Sequence, residues 1–218
     1  MELMFAALTY YDNVSTVNIS NDFLMKNYHH GNLKEELTAC AVKICESEGY
    51  ANLSIRKLAK ESNVSQTAPY RHFETKEHLY AEVAKIGFVE LQKTVSKGKT
   101  FIDKGKEYLN FGLKKQNLYD LMFDKVVEDF SNYPDLLDAA NKTAEDLQRS
   151  FAEFSGIEDE HEISIKSFTI WATIHGMVGI FRTMPEDPTE GSIMVQAADV
   201  FNNIDDYLDK VLTSIAKA

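Results

Sequence analysis

The chain has 218 residues, 44% of them hydrophobic, with 4 Pro and 10 Gly. That is enough apolar content for a sizeable core and too few turn formers for a disordered or all-β chain. The net charge of -11 excludes a uniformly basic nucleic-acid binder, and no run approaches the roughly 18 apolar residues of a membrane span.

The charge is unevenly spread: -3 over 1–25, +2 over 26–97 and -10 over 98–218. Only the second stretch is basic, and weakly. An acidic remainder keeps the other part of such a chain off phosphates. Cys40 and Cys45 fall on one expected helix at a spacing that fits no metal motif. They read as reduced thiols in small core positions, which points to a cytoplasmic protein.

Residues 1–25 mix apolar and polar types without a sustained period. MELMFAALTYY lacks the positive start of a signal peptide, so this stretch is expected to be a poorly ordered arm. Met25 is a candidate start, since the recognisable pattern begins just after it. Lys26-Asn-Tyr-His-His30 is either a flexible lead-in or an arm that reaches phosphate or the minor groove.

Asn32 is the expected cap of a first helix, LKEELTACAVKICESE. Leu33, Leu37, Cys40, Ala41, Ile44 and Cys45 form its apolar stripe, and Gly49 ends it. Ser54 caps a second helix whose Ile55, Leu58, Ala59 and Ser62 share one face. Asn63 tolerates the left-handed backbone that stops a helix, and Val64 pins the turn. Ser65 is a second N-cap, with a helix expected over Gln66 to Phe73. Two short helices and a turn of three to four residues make a helix-turn-helix. In that motif the second helix offers its first turn to the DNA major groove. Pro69 removes one N–H, tolerable near a helix start and not deeper. Thr75 caps a long helix from Lys76, the connector to a second domain, with a boundary near Lys97 to Thr100.

Helices continue over Phe101 to about Lys114, from Asn117 through Met122 and Phe123, and from Pro134 to Phe154 with Gly156 as the stop. A long helix follows the acidic run Glu158 to Glu162, which suits its positive end. Pro185 and Pro188 bracket a loop. One last helix is expected from about Gly191 to Ala216. No nucleophile–base pair, phosphate loop or metal cluster is spaced for catalysis, so no enzyme activity, cofactor or metal is expected.

The order of these elements carries a resemblance. Glu-Gly-Tyr, Leu-Ser-Ile-Arg-Lys-Leu-Ala, Val-Ser-Gln-Thr-Ala-Pro-Tyr-Arg-His-Phe and Lys-Glu-His-Leu, with Tyr70-x-His72-Phe73-x-x-Lys76-x-x-Leu79, resemble the tetracycline-repressor (TetR) family over roughly His30 to Leu91. Trp171-x-x-x-His175-Gly176 is similar to the WHG-type C-terminal domain of that family. The resemblance implies an all-α fold of about nine helices. An N-terminal three-helix helix-turn-helix head is joined by a long helix to a C-terminal bundle. The implied divisions are an arm (1–25), a DNA-binding head (26–97) and an effector-binding and dimerisation domain (98–218).

It also implies roles. Gln66, Thr67 and Ala68 face base edges, Gln to adenine and the methyls to thymine. Tyr70 and His72 reach phosphates. Arg56 and Arg71 meet phosphate or sit in salt bridges. Lys76 joins a cation to a helix N-terminus. With Ser54 and Ser65 these make the expected DNA-contact set, and Phe73 is core.

Trp171 and His175 stack on one helix face. They line an effector cavity or pack in the core or at a dimer seam. Met122, Phe123 and Phe168 are further candidates for an apolar pocket, which would take a hydrophobic or aromatic small molecule. Gly176 and Gly179 let another helix approach. The final helices, with Ile193, Val195, Leu208 and Leu212, can build a four-helix dimer seam. The expected protein is a homodimeric, ligand-responsive repressor on a palindromic double-stranded operator. A transcriptional activator or nucleoid-associated protein with the same head is the alternative.

Overall fold

The structure is a computed structural model and describes residues 33–218. The expected arm, the candidate start at Met25, the Lys26–His30 lead-in and the Asn32 cap lie outside the described residues. Among the described residues there are nine α-helices and no strand. They are α1 (Leu33–Glu48), α2 (Ile55–Glu61), α3 (Lys76–Val95), α4 (Phe101–Lys114) and α5 (Gln116–Phe123). After these come α6 (Pro134–Ser155), α7 (Glu160–Thr183), α8 (Ile193–Asn202) and α9 (Ile204–Lys217). No described helix is long and apolar enough to cross a membrane.

The helix ends follow the local chemistry. Ser54 accepts from the Lys57 N–H at 3.1 Å and Thr75 from His78 at 3.0 Å; each such cap stabilises by about 1 kcal/mol. Thr100 and Asp103 form a reciprocal capping box on α4. Asp159 accepts from Glu162 at 2.7 Å and opens α7. Gly156, at φ 71°, closes α6 in the left-handed conformation that a Cβ would disfavour.

Two expectations are corrected. Gln66 to Phe73 is not an α-helix: a turn over Ser65–Ala68 leads into a single 3-10 turn, Pro69–Arg71. An α-helix starting at Gln66 would need the Pro69 N–H, which does not exist. The Ser65 carbonyl instead takes the Ala68 N–H, at 3.0 Å. Ser65 is therefore no helix cap, and its hydroxyl pairs with that of Thr67 at 3.2 Å. The last helix is broken at Asn203, whose side-chain amide bonds the Asp199 carbonyl at 2.9 Å. Such a side chain competes with the helix ladder, and the single rod becomes α8 and α9. The count of nine survives because one expected helix is lost and one is gained.

A continuous apolar core runs through both ends of the molecule. Leu37, Leu58 and Phe73 belong to it in the head; Leu121, Phe151, Ile170 and Leu212 belong to it in the bundle. Helix α3 enters both: Leu79 and Leu91 are each fully buried. Near its C-terminal end, Gln92 donates to the Ala139 carbonyl at 2.8 Å and to the Thr143 hydroxyl at 2.9 Å on α6.

Candidate nucleic-acid interface and effector cavity

The head presents one polar edge. Ile55, Leu58 and Ala59 bury the inner face of α2, and Asn63 turns the chain at φ 52°. Val64 then packs against the core. Pro69 and Phe73 are buried, Phe73 with no exposed surface, and its ring meets His78 edge-on at 6.1 Å. Burying such a ring is worth about 1.5–3 kcal/mol. It fixes the segment between Asn63 and Phe73 by its apolar back.

What remains points outward. Gln66, Thr67, Arg71 and Lys76 are exposed, and Tyr70 is 56% exposed. Arg56 and Ser65 are exposed too; Ala68, His72 and Ser54 are partly buried. Neither Arg56 nor Arg71 sits in an ion pair among the described residues, whereas their neighbour Lys57 is paired with Glu48. Lys76 lies at the start of α3 with its ammonium 5.0 Å from the centroid of the Tyr80 ring. The ten expected DNA contacts thus sit on the head, with Ser54 engaged in its cap.

The bundle holds a cavity of about 660 Å³ between α3, α4, α6 and α7. Met122, Phe123, Phe168 and Trp171 line it. His175 does not line it. It stands behind the wall, on the far side of a chain of polar groups. Trp171 Nε1 donates to the Tyr108 hydroxyl at 2.9 Å. Tyr108 and Tyr119 hydroxyls pair at 3.1 Å, and Tyr119 Oη meets His175 Nδ1 at 2.6 Å. An indole only donates. The chain uses every proton when Tyr108 donates to Tyr119 and Tyr119 to a neutral imidazole.

Burial keeps these groups uncharged. It pushes the Tyr108 phenol up to about 12 and Tyr119 higher still, and it lowers the His175 imidazole below its ordinary value. Ser167, 2% exposed and also in the wall, has a hydroxyl without a partner. An unsatisfied buried hydroxyl costs about 1–3 kcal/mol.

Helix α5 spans the gap between cavity and head. Met122 and Phe123 face the cavity. At the other end Asn117 Nδ2 donates to the Glu46 carbonyl in the last turn of α1, at 2.9 Å. Cys45 Sγ donates to the Asn117 carbonyl at 3.6 Å. Burial pushes that thiol up to about 12, which leaves it inert. Lys115 pairs with Glu46, and the Tyr50 hydroxyl donates to Asp124 at 2.8 Å. On the α7 side Arg182 grips Asp120 with both nitrogens, at 2.6 and 2.8 Å.

Sequence reasoning missed Lys104, Tyr108, Ser167 and the linking role of Tyr119. The i,i+4 pairs Lys104/Tyr108 and Ser167/Trp171 were the available signal.

An exposed polar edge on the head and a cavity in the helical bundle fit the fold of a DNA-binding transcription regulator. Residues 37–83 match the family described as bacterial regulatory proteins, tetR family. Solved structures share the fold. A protein of unknown function from Rhodococcus sp. RHA1 is 22% identical, with 84% of this chain and 96% of that chain covered at a TM-score of 0.65. The TetR family transcriptional regulator PfmR from Thermus thermophilus is 17% identical, with 79% and 96% covered at 0.51. The multidrug binding protein EbrR, solved with proflavin, is 16% identical, with 84% and 98% covered at 0.53. A comparison with curated proteins finds no match to this sequence.

Proposed function

We propose that the protein is a ligand-responsive repressor, not an enzyme, that binds a palindromic operator as a homodimer in the cytoplasm. One observation carries this reading. Gln66, Thr67, Tyr70 and Arg71 stand exposed on a segment whose back is fixed by Pro69 and Phe73. In this reading residues 26–97 act as the DNA head and 98–218 as the effector and dimer domain. Gln66, Thr67 and Ala68 read bases. Ser54, Arg56, Ser65, Tyr70, Arg71, His72 and Lys76 hold the backbone.

The homodimer is supported by an unpartnered face. Ile165 and Ile180 of α7 and Ile193 and Val195 of α8 are exposed. Gly176 and Gly179 have nothing within 4 Å of a built Cβ, so a second helix can lie close there. A two-fold pair would set two heads about one DNA turn apart, roughly 34–36 Å.

The effector in this reading is a small molecule with a hydrophobic or aromatic body, held against Met122, Phe123, Phe168 and Trp171. EbrR, the neighbour solved with proflavin, is consistent with such an occupant. A ligand releases DNA only by binding one arrangement of the heads better than the other. Helix α5, anchored at both ends, is the element that would report occupancy. Footprinting the DNA upstream of the protein's own and neighbouring genes, followed by a screen for molecules that erase the footprint, tests the reading. A footprint of two symmetric halves is expected. No protection at low salt would overturn it.

A further inference from the structure

Lys104 is a charged group in the cavity wall that the fold leaves without a counter-charge. The part of the chain that contains it carries 22 acids against 12 bases. Yet among the described residues Lys104 makes no ion pair, and its ammonium donates only to the neutral Ser150 hydroxyl, at 2.8 Å. The one carboxylate in the wall, Asp146, is held by Arg149.

Lys104 and the orphan Ser167 hydroxyl belong to the same cavity wall. Helices α4 and α7 lie alongside in the same sense, since a Cβ on Gly105 would meet Ile174 at 3.4 Å and one on Gly112 would meet Val178 at 2.7 Å. Tyr108 and Trp171 are joined across them. One turn earlier on each helix stand Lys104 and Ser167, both in the wall. A serine inside a helix usually returns its proton to the carbonyl four residues back; the Ser167 hydroxyl does not. A cation and a free donor therefore line the same cavity.

The wall also has an aromatic part. Phe88 packs edge-on against Phe123 at 5.6 Å and against Phe130 at 6.2 Å. Along α6 the wall extends from Ala140 to Ser150, about 15 Å at 1.5 Å per residue.

We propose that this cavity takes an amphipathic carboxylate, with its acid group on Lys104 and Ser167 and its apolar body running toward Phe88 and Phe130. The proposal rests on the effector-cavity reading and adds the charge and direction of the ligand. A carboxylate offers acceptors to both donors. An ammonium in its place would meet Lys104 as a like charge.

The chain has a single tryptophan, and Trp171 is in the wall, so its fluorescence reports occupancy. The full chain is titrated with dodecanoic acid, dodecanol and dodecylamine below their micelle concentrations, with calorimetry as a second readout. Dodecanoate is expected to bind at least about tenfold more tightly than dodecanol. Lys104→Met removes that preference, whereas Lys104→Arg keeps it. Ser167→Ala weakens dodecanoate by a few-fold. Circular dichroism of each variant confirms folding. Equal binding of acid and alcohol, or tighter binding of the amine, overturns the charge assignment and leaves the cavity reading standing. Binding of none of the three overturns both.

Discussion

The Tyr119 hydroxyl on α5 shares a hydrogen bond with Nδ1 of His175 on α7, at 2.6 Å. This bond explains why His175 is not part of the cavity wall. The imidazole is an anchor for the helix that carries Met122 and Phe123 on one side and reaches the head through Asn117 on the other. Removing the phenol oxygen in Tyr119→Phe leaves the His175 nitrogen and the Tyr108 hydroxyl short of a partner. A loss of about 1–3 kcal/mol is expected, read as a lower urea midpoint at unchanged slope. An unchanged midpoint would show that the chain of hydroxyls holds nothing.

His175 also sets a pH dependence. Burial lowers its pKa below the ordinary 6.5, so in the window between the two values the unfolded chain binds more protons than the folded one. Stability from this group is complete above about 6.5 and declines as pH falls through the window, levelling once both states are protonated. Urea midpoints measured at pH 7.5 and 5.5 should therefore differ less in His175→Gln than in the unmodified chain. An equal difference in both would remove His175 from the pH response.

The contact between α4 and α7 depends on a missing side chain. A Cβ on Gly112 would lie 2.7 Å from both γ-carbons of Val178. Val178 is fully buried and β-branched, with little freedom to turn away. Gly112→Ala is expected to cost about 1–3 kcal/mol through overpacking. Gly176→Ala, where a built Cβ meets nothing within the protomer, should leave monomer stability near its starting value. Thermal melts of the two variants at concentrations low enough to dissociate any dimer make the comparison, and a larger loss at Gly176 than at Gly112 would contradict it.

Lys76 and Gln66 should separate affinity from specificity. Lys76→Ala is expected to weaken all duplexes alike and to reduce the slope of log K against log salt by about one unit. Gln66→Ala should cost about 1–3 kcal/mol on the preferred duplex and relax discrimination at one base pair. Anisotropy titrations at several salt concentrations distinguish the two. A uniform loss for Gln66→Ala would move it from base reader to backbone contact.

Much of the fold was legible because its signals are local. Ser54 and Thr75 cap as their side chains dictate, Asn63 and Gly156 turn the chain where left-handed backbone is needed, and Pro134 opens α6. The misreadings share a cause. At Ser65–Phe73 the missing N–H of Pro69 outweighs the helix that the motif's usual pattern implies. In the last helix unbroken apolar periodicity hid the backbone bond made by Asn203. The cavity was only half legible. Helical spacing put Trp171 and His175 on one face, but which of them meets the open space depends on Tyr108 and Tyr119, brought there from two other helices. Lys104 and Ser167 were invisible as a pair for the same reason, since 63 positions of chain separate them.

The most direct measurement is selection from a random duplex pool by the full-length protein at low salt, with its mass in solution determined alongside. The account predicts a dimer that enriches a two-fold symmetric sequence with half-site centres about 10 base pairs, or a multiple of that, apart. Enrichment should fall when Gln66 is replaced by Ala. A monomer that enriches nothing, or a symmetric site bound equally well without Gln66 and Arg71, would contradict it.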